Sequence, residues 1–104
     1  MPEDFIREFQ DKVNWLLISA RQKLSEDFMR EFQDKIHWGV ISVYQKLSED
    51  FIREFKDRVI WSNILTCQKL SENFIKEFKD KVDNWNDISY FQVLSDDFIR
   101  KFKN

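Results

Sequence analysis

One glycine (Gly39), one proline (Pro2), one cysteine (Cys67) and one histidine (His37) are all this 104-residue chain contains of four residue types. Gly and Pro normally supply about 7% and 5% of residues, and turn-rich β folds depend on them. Their scarcity argues against such a fold and for short helices joined by tight links. A lone Cys excludes an intramolecular disulfide framework and fits a reducing compartment. No run of about 18 apolar residues and no signal-peptide pattern is present, so the chain reads as soluble and intracellular, with no membrane partner. No single sign of charge dominates either. Seventeen Lys and Arg face 19 Asp and Glu, interleaved along the chain, for a net charge of −2. No basic stripe stands out in the sequence, so nucleic acid is not an expected partner.

Chemistry is also thin. There is no metal-ligand cluster, no P-loop and no G-x-G-x-x-G, so neither a metal nor a cofactor is expected. Cys67 has no His neighbour to activate it. The chain reads as non-enzymatic.

What the chain does have is repetition. LSEDFMREFQDKIHWGVISVYQK, 24–46, is followed at once by LSEDFIREFKDRVIWSNILTCQK, 47–69. Trp falls at Trp15, Trp38, Trp61 and Trp85, and Phe at Phe5, Phe28, Phe51, Phe74 and Phe98. The step is 23 residues, with one extra residue at Asp83–Asn84. Self-similarity at a fixed period of this size marks a solenoid or array. The reading is a single repeat domain over 1–104, with units at 1–14 (partial), 15–37, 38–60, 61–84 and 85–104.

Each unit holds two amphipathic segments. Ser25 is a good N-cap, and Glu26 and Asp27 suit the positive end of a helix dipole. At roughly 100° per residue, Phe28, Met29, Phe32 and Ile36 fall on one stripe, with Glu26, Asp27, Arg30, Glu31 and Asp34 opposite. This predicts a helix of about three turns over 25–36, named helix B. Glu31–Lys35, Glu54–Arg58 and Glu77–Lys81 are spaced for i,i+4 ion pairs along it. In the segment that begins at Trp15, the residues Trp15, Ile18 and Gln22 recur in the later units, at helical spacing. Asn14 and Asn84 are capping residues just ahead of two of the Trp positions. This predicts helix A, of about two to three turns. His37 takes the slot of Asn14, Ile60 and Asn84, and so reads as a solvent-facing helix start rather than a base.

Helices this short are marginal alone, so one copy cannot make a core and stacked copies can. The expected architecture is an all-α, α/α solenoid of stacked helical hairpins; a strand-helix solenoid is the alternative. The recurrent Gln22, Gln45, Gln68 and Gln92 lie on the apolar stripe of helix A and need partners there. The expected partner is a neighbouring backbone at the Lys-Leu-Ser turn.

The pattern W-x-x-I-S-x-x-Q-x-L-S-E-D-F-I-R-E-F-x-D-K-V, carried at 15–36, 38–59 and 61–82, resembles tandem-repeat proteins of giant viruses of amoebae and of some bacteria. The resemblance implies an array used as an interaction surface and brings no catalytic residues. Departures from the pattern fall at Ile36, Ile60, Leu65 and the extra residue near Asn84.

Helix B hardly varies between units, whereas helix A varies at four positions. These are Leu16, Leu17, Ala20 and Arg21; Gly39, Val40, Val43 and Tyr44; Ser62, Asn63, Thr66 and Cys67; and Asn86, Asp87, Tyr90 and Phe91. On a helical wheel they sit about 100–240° from the Trp, opposite the constant stripe. A variable row on a constant scaffold is where a repeat protein reads a partner, although exposed positions also drift without selection. The candidate protein-binding residues are Leu16, Leu17, Arg21, Val40, Tyr44, Asn63, Cys67, Asp87, Tyr90 and Phe91. The function read from them is a scaffold for protein–protein interaction, with a small virus- or phage-encoded inhibitor of a host or bacterial defence enzyme as the alternative. Because the sequence begins and ends on a helix B with no polar capping unit, end-to-end self-association is a further expectation.

Overall fold

The computed structural model describes residues 3–82, 88, 92, 95–97 and 100. Among them are α-helices and one 3₁₀ turn, and no strand, so the all-α solenoid holds and the strand-helix alternative falls. Helix B is seen four times, as α1 (Glu3–Glu8), α3 (Glu26–Glu31), α5 (Glu49–Glu54) and α7 (Glu72–Glu77). Helix A is seen three times, as α2 (Trp15–Arg21), α4 (Trp38–Tyr44) and α6 (Trp61–Cys67). The A helices stack, α2 on α4 and α4 on α6. The result is a rod of 51 × 20 × 18 Å with a radius of gyration of 15.5 Å, against about 13 Å for a compact domain of this length.

Helix B starts where its capping signal places it. Ser25, Ser48 and Ser71 have extended backbones, and each hydroxyl accepts from the amide three residues on, at 3.1 Å. Its end comes sooner than the apolar stripe suggests. The helix stops at Glu31, and Phe32, at φ −108° and ψ 30°, leaves helical geometry. A separate turn follows, closed by the Lys35 amide on Phe32 O at 2.8 Å. Competition for hydrogen bonds explains the break. A continuous helix would send the His37 amide to Gln33 O. Instead the Trp38 indole Nε1 donates to Gln33 O at 2.9 Å, and the His37 amide donates to Ser19 Oγ of the preceding unit at 3.1 Å. The next unit repeats this. Trp61 Nε1 donates to Lys56 O at 2.9 Å, and the Ile60 amide to Ser42 Oγ at 3.2 Å.

The apolar stripe forms the core as expected. Phe28, Met29, Phe32 and Ile36, and their counterparts Phe51, Ile52, Phe55 and Val59, are buried together with Ile18, Ile41 and Ile64. Each half-buried Trp lies over the two Phe of its own unit. Trp38 is 6.1 Å from Phe51 and 4.9 Å from Phe55, and Trp61 is 6.2 Å from Phe74 and 4.7 Å from Phe78. Phe5 is 45% exposed, whereas Phe28, Phe51 and Phe74 are 0% exposed.

Neighbouring units cap each other's helices. Gln45 Nε2 donates to Ser19 O at 2.9 Å and to Gln22 O at 2.6 Å, two carbonyls at the end of α2, while its Oε1 accepts from the Leu24 amide at 3.2 Å. Gln68 binds Ser42 O, Gln45 O and the Leu47 amide in the same way, and Gln92 binds Leu65 O, Gln68 O and the Leu70 amide. Helix C-termini leave carbonyls unpaired, commonly finished by a left-handed glycine. Here the next unit's amide finishes them. The described residues include none with positive φ, which accounts for a solenoid with one Gly. A carboxylate works in the other direction. Glu3 accepts from the Ser25 amide at 2.7 Å and from its hydroxyl at 3.0 Å, and Glu26, Glu49 and Glu72 do the same for Ser48, Ser71 and Ser95.

Phe51→Leu lowers the unfolding free energy by about 1–2 kcal/mol and Phe5→Leu leaves it within about 0.5 kcal/mol of wild type, measured by urea denaturation. Gln45→Ala strands three backbone groups, two of them in buried bonds, and costs about 2–4 kcal/mol. Gln45→Glu places a carboxylate against Ser19 O and Gln22 O, which favour its protonated form and raise its folded pKa. Its stability relative to wild type is therefore present at acid pH and lost as pH rises through that raised value. Melting curves of both proteins across pH check the sign.

Candidate protein-binding face

The charged face of helix B is a solvent-exposed ladder of ion pairs between units. Arg7 Nε donates to both carboxylate oxygens of Glu31, at 2.9 and 3.1 Å, and Arg7 Nη1 donates to Asp4 at 2.7 Å. Arg30 repeats this with Glu54 and Asp27, and Arg53 with Glu77 and Asp50. Each guanidinium also lies over a Phe of the next unit, at 5.4 Å (Phe28), 5.4 Å (Phe51) and 5.1 Å (Phe74). The hydrogen bond to the next unit's Glu, ahead of its Coulombic attraction, holds all three guanidinium pKa values above the ordinary one. The expected i,i+4 pairs give way to this ladder. Helix B ends at Glu31, so Lys35 and Arg58 lie beyond the helix, where they pair with Asp11 at 3.2 Å and Asp34 at 2.9 Å one unit back.

The variable side of helix A is open. Leu16 is 45%, Leu17 47% and Tyr44 67% exposed, and Arg21 and Cys67 are also exposed. Val40 and Asn63 are half-buried. Leu17, Val40 and Asn63 share one position of the repeat. Asn63 Nδ2 donates to Gly39 O of the preceding unit at 3.2 Å, so this column turns partly into the seam between stacked A helices. Leu17 instead lines an open hollow of about 320 Å³ with Val13, Asn14, Ile18, Arg21 and Gln22. The column of Arg21, Tyr44 and Cys67 points outward throughout. Arg21 and Tyr44 edge a second groove, of about 290 Å³, at the C-terminal ends of α2 and α4. Asp87, Tyr90 and Phe91 lie outside the described residues, as do Trp85 and the capping candidate Asn84.

His37 is exposed at the start of α4 and makes no side-chain capping bond, whereas Asn14 Oδ1 accepts from the Leu17 amide at 3.2 Å. Among the described residues no group of His, Cys, Asp or Glu is placed to hold a metal, and no helix is long and apolar enough to cross a membrane.

Two sets of residues escape a linear reading. Ser19 and Ser42, fully buried, receive the amide that opens the next helix A. Their signal was their recurrence, and its loss at Leu65 falls 18 residues ahead of the extra residue at 83–84, the same separation as Ser19 to His37. The second set is basic. Lys23, Lys46 and Lys69 are exposed just past the end of each helix A, and no carboxylate among the described residues pairs with them or with Arg21.

Comparison with protein-family models, with curated proteins and with solved structures returns no match.

Arg53→Lys keeps the charge but cannot reproduce the fork onto Glu77 and Asp50. It lowers the melting temperature, while Arg21→Lys leaves it unchanged. Because the folded guanidinium pKa is raised, its contribution is present at every pH below the unfolded value and is lost only in strong alkali. The melting difference is therefore flat across the neutral range.

Proposed function

We propose that the chain is a non-enzymatic scaffold that binds another protein along the exposed, variable face of the stacked A helices. The observation that carries this reading is the exposure of Leu16, Leu17 and Tyr44 along this variable face; Phe5, Phe9 and Ile60 are the other large hydrophobics exposed among the described residues. Exposed apolar side chains on such a row are costly in water and are the kind of surface a partner covers. The ladder edge has its cations and carboxylates already matched, which leaves it little to offer a partner. A constant scaffold with a changing face also lets recognition vary without disturbing the core.

The same face would serve a small inhibitor that blocks a single enzyme, and the experiment separates the two uses. Immobilised wild-type chain and a Leu16→Ser, Tyr44→Ala variant are exposed to lysate, and the retained proteins are identified. The scaffold reading expects partners retained by wild type and lost by the variant, with melting temperatures within about 3 °C of each other. Capture of one enzyme with loss of its activity identifies the inhibitor. Retention by both chains, or a large fall in the variant's melting temperature, overturns the face as a binding site.

A further inference from the structure

We infer that the segment recognised on this face is an extended acidic peptide, laid along the C-terminal edge of the helix A stack with an apolar side chain against Tyr44. The inference rests on the binding face proposed above and adds the chemistry of its ligand. Each of α2, α4 and α6 ends alike, in a variable residue, then Gln, then Lys. Lys23, Lys46 and Lys69 therefore recur once per stacked helix, with Arg21 beside the first. All four are exposed.

The near-neutral net charge hides this arrangement. Arg7, Arg30, Arg53, Arg58 and Lys35 are bound by carboxylates of neighbouring units. The cations at the end of helix A are not. Their usual intramolecular partners, the last helical carbonyls, are spoken for as well. Ser19 O and Gln22 O are held by Gln45, and Ser42 O and Gln45 O by Gln68. What remains is a column of solvated cations that no carboxylate among the described residues pairs with.

Shape matches the charge. Between the ends of α2 and α4 lies the groove of about 290 Å³ lined by Ala20, Arg21, Lys23, Tyr44 and Lys46. Ala20 leaves room beside the Tyr44 ring for an apolar side chain. Packed helices lie about 8–10 Å apart, so the lysines recur at about that interval. A polyproline II segment advances about 9.3 Å in three residues, so an acid at every third position meets successive lysines. A nucleic acid is a poorer fit. Tyr44 is the one ring among the residues that line the groove, which leaves successive bases nothing further to stack on.

The test uses the full chain, isotope-labelled, and a peptide of repeated Glu-Pro-Leu triplets, followed by amide chemical shifts. Saturable shifts at 20–23 and 44–46 are expected. So is at least about a tenfold weakening in a Lys23→Glu, Lys46→Glu variant that melts like wild type, together with weakening by added salt. A matched peptide with Gln in place of Glu is expected not to bind. Absence of saturable shifts, equal binding of the Gln peptide, or tighter binding of a single-stranded RNA would each overturn the inference. A lysate partner that Leu16→Ser, Tyr44→Ala releases but Lys23→Glu, Lys46→Glu retains also overturns it, and leaves the broader face standing.

Discussion

The buried glutamine amide on which these units meet is the interaction the rest of the structure depends on. Gln45 reaches from one unit into the turn of the unit before it and satisfies three backbone groups there. Without it, α2 ends on open carbonyls and the link to α3 loses the bond that fixes its amide. Helices of six or seven residues are unstable alone, so the array exists only because each unit completes its neighbours. Glutamine works backward along the chain and glutamate forward, so every internal unit is held from both sides. Phe and the aliphatic side chains supply the buried core, with Trp packed against it, and the caps fix how that core is aligned.

This division of labour separates constant from variable positions. The stripe of Trp, Ile and Gln cannot change without breaking ring contacts or caps. The outward column of Arg21, Tyr44 and Cys67 can, because nothing in the stack depends on it. Function can therefore be written on helix A at little cost to the fold. The Arg–Glu ladder on the opposite edge adds alignment of its own, with each guanidinium held between a carboxylate pair and an aromatic ring of the next unit.

Much of this was legible in the sequence. Period 23 announced an array, helical spacing of Trp15, Ile18 and Gln22 announced helix A, and the apolar setting of Gln22 and Gln45 pointed to the neighbouring turn. Other features needed the third dimension. Glu31 has Lys35 four residues on and Arg7 one unit back, and only the early end of α3 decides between them. Ser19 looks like an ordinary polar residue until the chain returns eighteen residues later with an amide to place. Val40 and Asn63 varied as a free surface would, yet sit partly in the seam between helices. Lys23, Lys46 and Lys69 are diluted along the chain by acids, and stacking alone brings them into a column.

Amide hydrogen exchange on the wild-type chain tests the capping account most directly. The Leu24 and Leu47 amides lie in links between helices, where exchange is ordinarily fast and local. If glutamine locks the units together, both exchange as slowly as the core amides Ile41 and Ile64 and in the same cooperative step. Exchange of Leu24 and Leu47 at rates typical of open loops, with the helices still protected, would contradict it.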